Sequence, residues 1–427
     1  MNEELLSILQ KEVKPALGCT GPTSVSFVVS VAKDAVGGNV LGIKVLMDKD
    51  GYKNSVSVGI PGTDAFGLNI AAALGAMGDS NAGLEVLKNI TTAQEKKAEK
   101  LLTSTTVDIK WDLEEVGLYN EAWVKSDRGI GHAIVKKTHT NIVLIEANGE
   151  KIFENPEELN ADHVDYVGDK IRLYHIEDFY NFALNEPLSN LRFLKETISM
   201  NLALARTGMQ SPVGSGFGYA YKDFSDVNVI FEAKAVTAAA ADARMAGVNM
   251  PAMSCATSGN VGIAASLPLI ILARKLGKND ETLLRSLAFS FLTVIYLKSH
   301  IGRLSPMCAC AIASSLGVAG GSVLLQEGDI SAVQKAINSV VGSLGGILCD
   351  GAKYGCSLKL ANAIGVALEA AFFAMKGISI KSGDGLVNGN VDDTITDIGK
   401  LAREGMSETD RVMAKLIIAR HTKAFDK

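Results

Sequence analysis

The stretch 298–360 decides how this chain is to be interpreted. It opens KSHIGRLSPMCACAIASSLGVAGG (298–321) and closes SLGGILCDGAKYGCSLKL (343–360). Four of the six cysteines of the chain lie in it, as the pairs Cys308/Cys310 and Cys349/Cys356. The pairs are embedded in glycine and alanine, which allow close approach of backbone or ligand. Clustered thiols in a chain of cytosolic character indicate a metal or catalytic site rather than disulfides.

The composition is that of a globular protein with an aliphatic interior. The 427 residues are 47% hydrophobic and 21% charged, with a net charge of −5 and no long basic run, which argues against nucleic acid as a partner. The first residues carry acids and lack the basic start and apolar core of a signal peptide. The longest apolar runs, 261–273 and 287–297, are shorter than the roughly 18–20 residues of a membrane span. We therefore expect a cytoplasmic protein with no membrane partner.

Changes in residue pattern along the chain predict an α+β protein with three segments. Residues 1–82 contain apolar helices and a hairpin, 41–49 and 52–60 around Asp50-Gly51, and are expected to join the core. Residues 83–185 are predicted to form an inserted small α+β domain. Residues 186–427, rich in alanine and in long aliphatic stretches, are predicted to form the large, all-α catalytic core.

The insert is predicted to contain a charged helix at 83–103 and a small antiparallel sheet. The strands are expected at 107–112, 121–125, 132–137 and 142–153, the last folded at Asn148-Gly149. The insert also carries four scattered histidines, which we interpret as surface or core residues rather than ligands: His132, His139, His163 and His175.

Spacing limits which cysteines can share one site. Cys308 and Cys310 do not face each other on a helix, and Cys349 and Cys356 lie about 10 Å apart along a helix axis. One thiolate from each region is thus expected, and Cys19, just ahead of a helix start, supplies a third. A three-cysteine site falls short of the four usual ligands, and the open position of an iron there can act as a Lewis acid toward substrate.

A helix start supplies candidate substrate-binding groups. The sequence Thr257-Ser258-Gly259-Asn260 precedes a strongly apolar helix and offers free backbone N–H groups, hydroxyls and an amide, which suit a carboxylate. A simple capped helix start would have the same sequence.

Three charged or titratable residues near the cysteines are further candidates. Arg303 could clamp a carboxylate, while His300 and Lys353 are the candidates for the catalytic base. Each could instead be a solvated or structural residue.

Four motifs resemble the family of L-cysteine desulfidases, which is related to the α chain of the iron–sulfur L-serine dehydratases. They are ALGCTGP (16–22), TSGNVGIAASLP (257–268), GRLSPMCAC (302–310) and ILCDGAKYGC (347–356), and they occur in the order of the family across nearly the whole chain. The resemblance implies a helical core like that of the serine dehydratase α chain and a pyridoxal-phosphate-independent lyase. It also implies a [4Fe–4S] cluster held by Cys19, Cys308 and Cys349, and β-elimination of L-cysteine to hydrogen sulfide, pyruvate and ammonia.

Two positions depart from the motifs of the family. Gly21 replaces a glutamate, and Val261 replaces a glutamine, so two polar groups are missing from the implied site. L-Serine dehydration is the close alternative, since sequence does not separate a thiol from a hydroxyl leaving group. A non-catalytic iron–sulfur or zinc protein that binds a small amino acid and recruits Cys310 or Cys356 is a second. A pyridoxal-phosphate lyase is a weaker third. The expected partners are a small amino acid and a second copy of the chain, in a dimer.

Overall fold

The computed structural model describes residues 2–18, 20–63, 65–112, 117–160 and 166–425. These residues contain eight strands: β1 Val13–Leu17, β2 Val40–Asp48, β3 Thr106–Asp112, β4 Tyr119–Ser126, β5 Gly129–Lys136, β6 Ile142–Ala147, β7 Glu150–Glu154 and β8 Pro251–Cys255. In the first half, the α-helices are α1 Asn2–Glu12, α2 Thr20–Val36, α3 Lys49–Lys53, α4 Leu68–Gly75, α5 Thr92–Ser104, α6 Pro156–Asn160, α7 Tyr166–Ile171, α8 Ile176–Asn185, α9 Leu188–Leu191 and α10 Lys195–Gln210. In the second half they are α11 Phe217–Tyr221, α12 Val229–Met245, α13 Gly259–Lys275, α14 Asp280–Ile301, α15 Ala309–Leu325, α16 Ile330–Leu344, α17 Cys356–Ala374, α18 Val391–Lys400 and α19 Ser407–Phe425. The architecture is α+β, as predicted.

The helical core is built around α15, which is apolar on all sides and almost entirely buried. It packs against α13, α14, α16 and α17. Small residues let these helices approach closely: a Cβ at Gly317 would lie 2.5 Å from the carbonyl oxygen of Ser290 on α14. Because this contact is backbone to backbone, the residue at 317 has no room for a side chain.

A six-stranded sheet forms the second part of the molecule, in the order β3-β2-β4-β5-β6-β7. Strands β2 and β3 are parallel and the other neighbours antiparallel. Helix α2 lies across one face and packs its valines and Phe27 on alternate residues of β2, β4 and β5. The four strand regions predicted in 83–185 are confirmed, including the turn at Asn148-Gly149, where both residues have positive φ.

The predicted hairpin at 41–60 is wrong. β2 is its first arm, but Asp48 accepts a hydrogen bond from the Gly51 N–H at 2.6 Å and caps the short helix α3, which turns the chain out of the sheet. The two edges of β2 are then taken by β3 and β4. The predicted boundary between residues 82 and 83 therefore passes through one sheet, because β2 and α2 pack with the strands of the insert.

Two further expectations are corrected. The segment 186–427 is not all-α, because β8 pairs antiparallel with β1 and ties the N-terminus to the core. Apolar runs also understate helix length: α14 (22 residues) and α17 (19 residues) are long and apolar enough to cross a membrane. Both are mostly buried inside the protein, with 89% of the α14 window covered, which is the pattern of core helices.

Candidate functional site

A cavity of about 130 Å³ lies where the helical core meets the sheet. A cavity of this size suits a small ligand. The core side is formed by the C-terminal ends of α12 and α14, the N-terminal ends of α13 and α15, the loop 303–307 and residues of the segment 349–359. The sheet side is formed by the start of α2, the residues around α3, the start of β4 and the loop after β5. The cavity therefore belongs to both parts of the molecule.

Cys308 and Cys349 are brought together by backbone pairing. The Cys308 N–H donates to Ile347 O at 2.8 Å, and the Cys349 N–H donates to Pro306 O at 2.7 Å. The two thiols, 41 positions apart, hydrogen-bond each other on the cavity wall. That hydrogen bond raises the pKa of Cys308 and lowers the pKa of Cys349, so Cys308 is the donor of the pair and Cys349 the acceptor.

The other cysteines fall into two groups. Cys310 and Cys356 also line the cavity, but the Cys310 sulfur lies 3.6 Å from Ser258 Oγ and the Cys356 sulfur 3.7 Å from Gly351 O. Burial raises the pKa of both thiols. Cys255 is buried away from the cavity. Cys19 lies outside the described residues, and its neighbours Thr20 and Gly21 line the cavity. Within the described ranges, no three Cys, His, Asp or Glu side chains converge as a metal site.

The predicted substrate-binding turn lies at the cavity. Thr257, Ser258 and Asn260 line it, between the end of β8 and the start of α13. Ser258 caps the helix, with its Oγ accepting from the Val261 N–H at 3.4 Å. Ala256 and Thr257 both have positive φ, +47° and +67°, a conformation that costs a non-glycine residue about 1–2 kcal/mol. Strain of this kind is typical of a functional turn.

The fourth member of this turn, Gly259, makes room for a buried arginine that the sequence did not single out. A Cβ at Gly259 would lie 2.3 Å from Arg244 Nε. The Arg244 guanidinium lines the cavity and donates to Gly18 O at 2.7 Å and to Asn260 Oδ1 at 3.2 Å. Its Nε is buried and has no hydrogen-bond partner among the described residues.

A second basic residue that the sequence did not single out is Lys298, at the end of α14. It is 3% exposed, lines the cavity and donates from Nζ to Ala256 O at 2.6 Å. Burial lowers the pKa of Lys298 because it disfavours the charged form. An amine of this kind can accept a proton nearer neutral pH than an exposed lysine can.

Arg303 lies at the cavity as predicted, but a protein carboxylate already holds it. Its two terminal nitrogens donate to the two oxygens of Glu12 at 2.9 and 3.1 Å. Glu12 is 9% exposed, so this fork-to-fork pair is mostly shielded from solvent. Arg303 thus fixes the N-terminal helix against the site, and Arg244 is the less occupied guanidinium.

The two predicted catalytic bases are not on the cavity wall. His300 points to the other side of α14, where it meets the ring of Tyr296 at 4.8 Å and the backbone of Gly399. Burial, together with Arg172 and Arg403, lowers the pKa of His300 to about 4. Lys353 pairs with Asp350, which in turn binds Lys359. Neither geometry supports the role of base.

The sheet contributes polar residues that the sequence reading missed. Asn120 on β4, Ser55 after α3 and His139 in the loop after β5 all line the cavity. The sequence predicts a surface or core histidine at position 139; the residue lines the cavity, and burial lowers its pKa to about 4. Ser55 also explains one departure from the family motif: a Cβ at Gly21 would lie 2.0 Å from Ser55 Oγ, so the hydroxyl occupies the space of a side chain at position 21.

Comparisons with known proteins find relatives that match nearly the whole chain. The family model described as "Serine dehydratase alpha chain" matches residues 81–415. A UPF0597 protein of Clostridium tetani is 39% identical over 98% of this chain and 100% of its own length. A UPF0597 protein of Caldanaerobacter subterraneus subsp. tengcongensis is 37% identical over 97% of this chain and 98% of its own. One from Clostridium perfringens is 35% identical over 98% of both.

Proposed function

Since the chain belongs to the serine dehydratase alpha chain family, a family of lyase-type enzymes, we propose that it catalyses β-elimination of L-cysteine to hydrogen sulfide, pyruvate and ammonia. The observation that carries the proposal is the meeting of the Cys308 and Cys349 sulfurs on one wall of a small cavity. The same wall carries Arg244 and Lys298, a buried guanidinium and a buried amine. Together these groups suit a small, anionic substrate with a soft leaving atom.

The donor set at the cavity fits an iron–sulfur cluster, to which the family is generally linked. Two thiols converge, and the residues after Cys19 border the same space. Cys308, Cys349 and Cys19 would hold the cluster, and Cys310 and Cys356 have other contacts. When bound, a cluster with an open iron supplies a Lewis acid for the departing sulfur.

Arg244 and the start of α13 would bind the substrate carboxylate. The first N–H groups of a helix lack intrahelical partners and favour anions. Arg244 adds a positive charge beside them, with Nε unpartnered among the described residues. Thr257 and Ser258 contribute hydroxyls at the same end. This places the carboxylate against the core and the remainder of the substrate toward the cysteines and the sheet.

Lys298 is the proposed base, in place of His300 and Lys353. Its neutral amine would take the α-proton, the electrons of the Cα–H bond would form the Cα=Cβ bond, and the Cβ–S bond would break as sulfide departs. The product, 2-aminoacrylate, reacts with water to give pyruvate and ammonia. The hydrogen bond to Ala256 O holds Nζ at the strained turn, next to the carboxylate site.

The test is anaerobic reconstitution with iron and sulfide, followed by assays for sulfide and pyruvate. We expect equimolar products from L-cysteine, lost in Cys19→Ala, Cys308→Ala and Cys349→Ala and retained in Cys310→Ala. Cys255→Ala is the control for removal of a buried thiol outside the cavity. Lys298→Met should keep the cluster absorbance and lose about 10²- to 10⁴-fold in rate. An assembled cluster that yields no product from cysteine or serine would sink the proposal.

L-Serine is the second candidate substrate, because the matching family model is described by that activity. Parallel assays on both amino acids decide between them. The ratio of kcat/KM for cysteine and serine gives the difference in transition-state stabilisation directly. A non-catalytic site with four protein ligands would instead lose its cluster in Cys310→Ala or Cys356→Ala.

A further inference from the structure

The wall contributed by the sheet carries two buried polar atoms without partners. Ser55 is fully buried and Asn120 is 3% exposed, and both line the cavity. Ser55 Oγ and Asn120 Oδ1 have no hydrogen-bond partner among the described residues. Leaving a buried polar atom unpaired costs about 1–3 kcal/mol, so such atoms in a cavity indicate a bound hydrogen-bonding partner.

The orientation of the Asn120 amide follows from its neighbours. Its Nδ2 lies 3.0 Å from Ser24 Oγ, and Ser24 Oγ lies 2.8 Å from the carbonyl oxygen of His139. A hydroxyl has one proton, and Ser24 must donate it to that carbonyl, which can only accept. Ser24 therefore accepts from the Asn120 amide nitrogen. The amide oxygen is the group that remains, and it can only accept.

The two walls of the cavity thus differ in polarity. The core wall presents donors beside α13, namely Arg244, Lys298 and the N–H groups at the start of the helix, and its acidic groups, Cys349 and Asp350, lie in the segment before α17. The sheet wall presents the acceptor Asn120 Oδ1 and the hydroxyl of Ser55, which can also accept. Asn120 Oδ1 needs a donor, the Ser55 hydroxyl can accept from the same donor, and none of the described residues supplies it.

We propose that Asn120 Oδ1 and Ser55 Oγ bind the α-amino group of the substrate, so that the sheet selects α-amino acids over their desamino analogues. This inference rests on the proposed function, because it assumes that an amino acid occupies the cavity with its carboxylate on Arg244. Asn120 and Ser55 are then specificity-determining residues. The inserted strands have a role in recognition as well as in closing the site.

The experiment compares two ligands on the reconstituted, full-length protein. L-Cysteine carries the amino group, and 3-mercaptopropionate lacks it but keeps the thiol and the carboxylate. In Asn120→Leu, which has a similar volume but no acceptor, KM for cysteine should rise about 10- to 100-fold, as expected for loss of a hydrogen bond to a charged group. The inhibition constant of 3-mercaptopropionate should stay within about twofold.

Ser55→Ala is the second variant, because it removes one hydroxyl and adds no volume. It should weaken cysteine binding in the same direction, again without effect on 3-mercaptopropionate. Asn39→Leu, an exposed asparagine outside the cavity, is the control and should change neither constant. Equal losses for both ligands, or no loss for cysteine in either variant, would overturn the proposal.

A thermal-shift measurement with the same two ligands separates this inference from the proposed function. If the wild type makes no product, the lyase function fails. The amine site then still predicts that L-cysteine raises the melting temperature more than 3-mercaptopropionate does, and that Asn120→Leu removes the difference. A wild type with no preference between the ligands would refute the amine site even if turnover is observed.

Discussion

Removal of one partner of the buried Lys53–Asp410 ion pair should destabilise the protein and loosen the junction at the cavity. Lys53 and Asp410 are each 2% exposed, with Nζ and Oδ1 2.5 Å apart. Asp50 lies 3.2 Å from Lys53, and Lys49 lies 2.9 Å from both aspartates. Burial disfavours the charged amine, but the negative groups around Lys53 raise its pKa, so it stays protonated. The cluster joins α19 to the segment that leads to Ser55.

The expected loss of stability depends on the buried charge that each substitution leaves unpaired. Taking one partner from a buried pair costs about 3–5 kcal/mol, because the other charge remains desolvated. Asp50 still faces Lys53 in Asp410→Asn, and Lys49 still faces Asp410 in Lys53→Met, so we expect about 3 kcal/mol for each. An unfolding entropy of about 2.1 cal/mol/K per residue gives about 0.9 kcal/mol/K for 427 residues, hence a fall in melting temperature of about 3 °C.

The assay is thermal and urea unfolding of the two single variants and of the double variant. The double variant should be no less stable than either single one, because it leaves neither buried charge unpaired. Lys88→Gln is the matched control: its side chain is 56% exposed, it pairs with Glu85 outside the cluster, and we expect a loss of at most about 1 kcal/mol. If Asp410→Asn is as stable as Lys88→Gln, or if the single effects add in the double variant, the ion-pair reasoning is wrong.

Three more predictions concern the lack of room for a side chain at Gly21, the buried His300 and the strained backbone at Ala256. Gly21→Ala should lower the free energy of urea unfolding by about 1–3 kcal/mol because its Cβ meets Ser55 Oγ, and adding Ser55→Gly should recover that stability. The pKa of His300 is lowered to about 4, so between about pH 4 and 6.5 the unfolded state binds the proton more tightly than the folded state does. The contribution of His300 to stability should therefore be complete above pH 6.5 and be lost as the pH falls toward 4. His300→Gln should reduce this dependence on pH. Ala256→Gly should raise the free energy of unfolding by about 1 kcal/mol by relieving a φ of +47°, whereas Ala264→Gly inside α13 should lower it, and equal losses would argue against strain.

Local sequence patterns predicted much of the secondary structure, and the motifs predicted that Cys308 and Cys349 share a site. The strands after residue 105 were predictable from alternating apolar residues and from Asn148-Gly149. The convergence of Cys308 and Cys349 was suggested by the resemblance, and the structure gives its cause in the pairing of 306–308 with 347–349. Nothing in the described residues tests Cys19, the dimer or the compartment, which stay predictions.

Features that depend on contacts between distant segments could not be predicted from the sequence. Asp50-Gly51 has the composition of a hairpin turn, and only the capping bond from Asp48 and the competition of β3 and β4 for the edges of β2 decide otherwise. Arg244 and Lys298 lie in the last turns of mostly apolar helices, and the sequence does not show which way a single basic side chain points there. Lys298 follows the apolar run of α14, and a lysine is almost never fully buried unless it has a partner, so its burial could not be expected from the sequence.

The position of the cavity explains why a helical enzyme core should carry a sheet. The core alone supplies the thiols, the amine and the guanidinium, but the amine and the guanidinium would face water if the sheet were absent. Covering them with the wall of Ser55 and Asn120 lowers the local dielectric constant and strengthens each electrostatic contact with a substrate. A charged sheet residue at this wall would instead compete with the substrate for Arg244. We therefore expect changes that loosen the junction, such as Asp410→Asn, to reduce kcat/KM under conditions where the helical core is still folded.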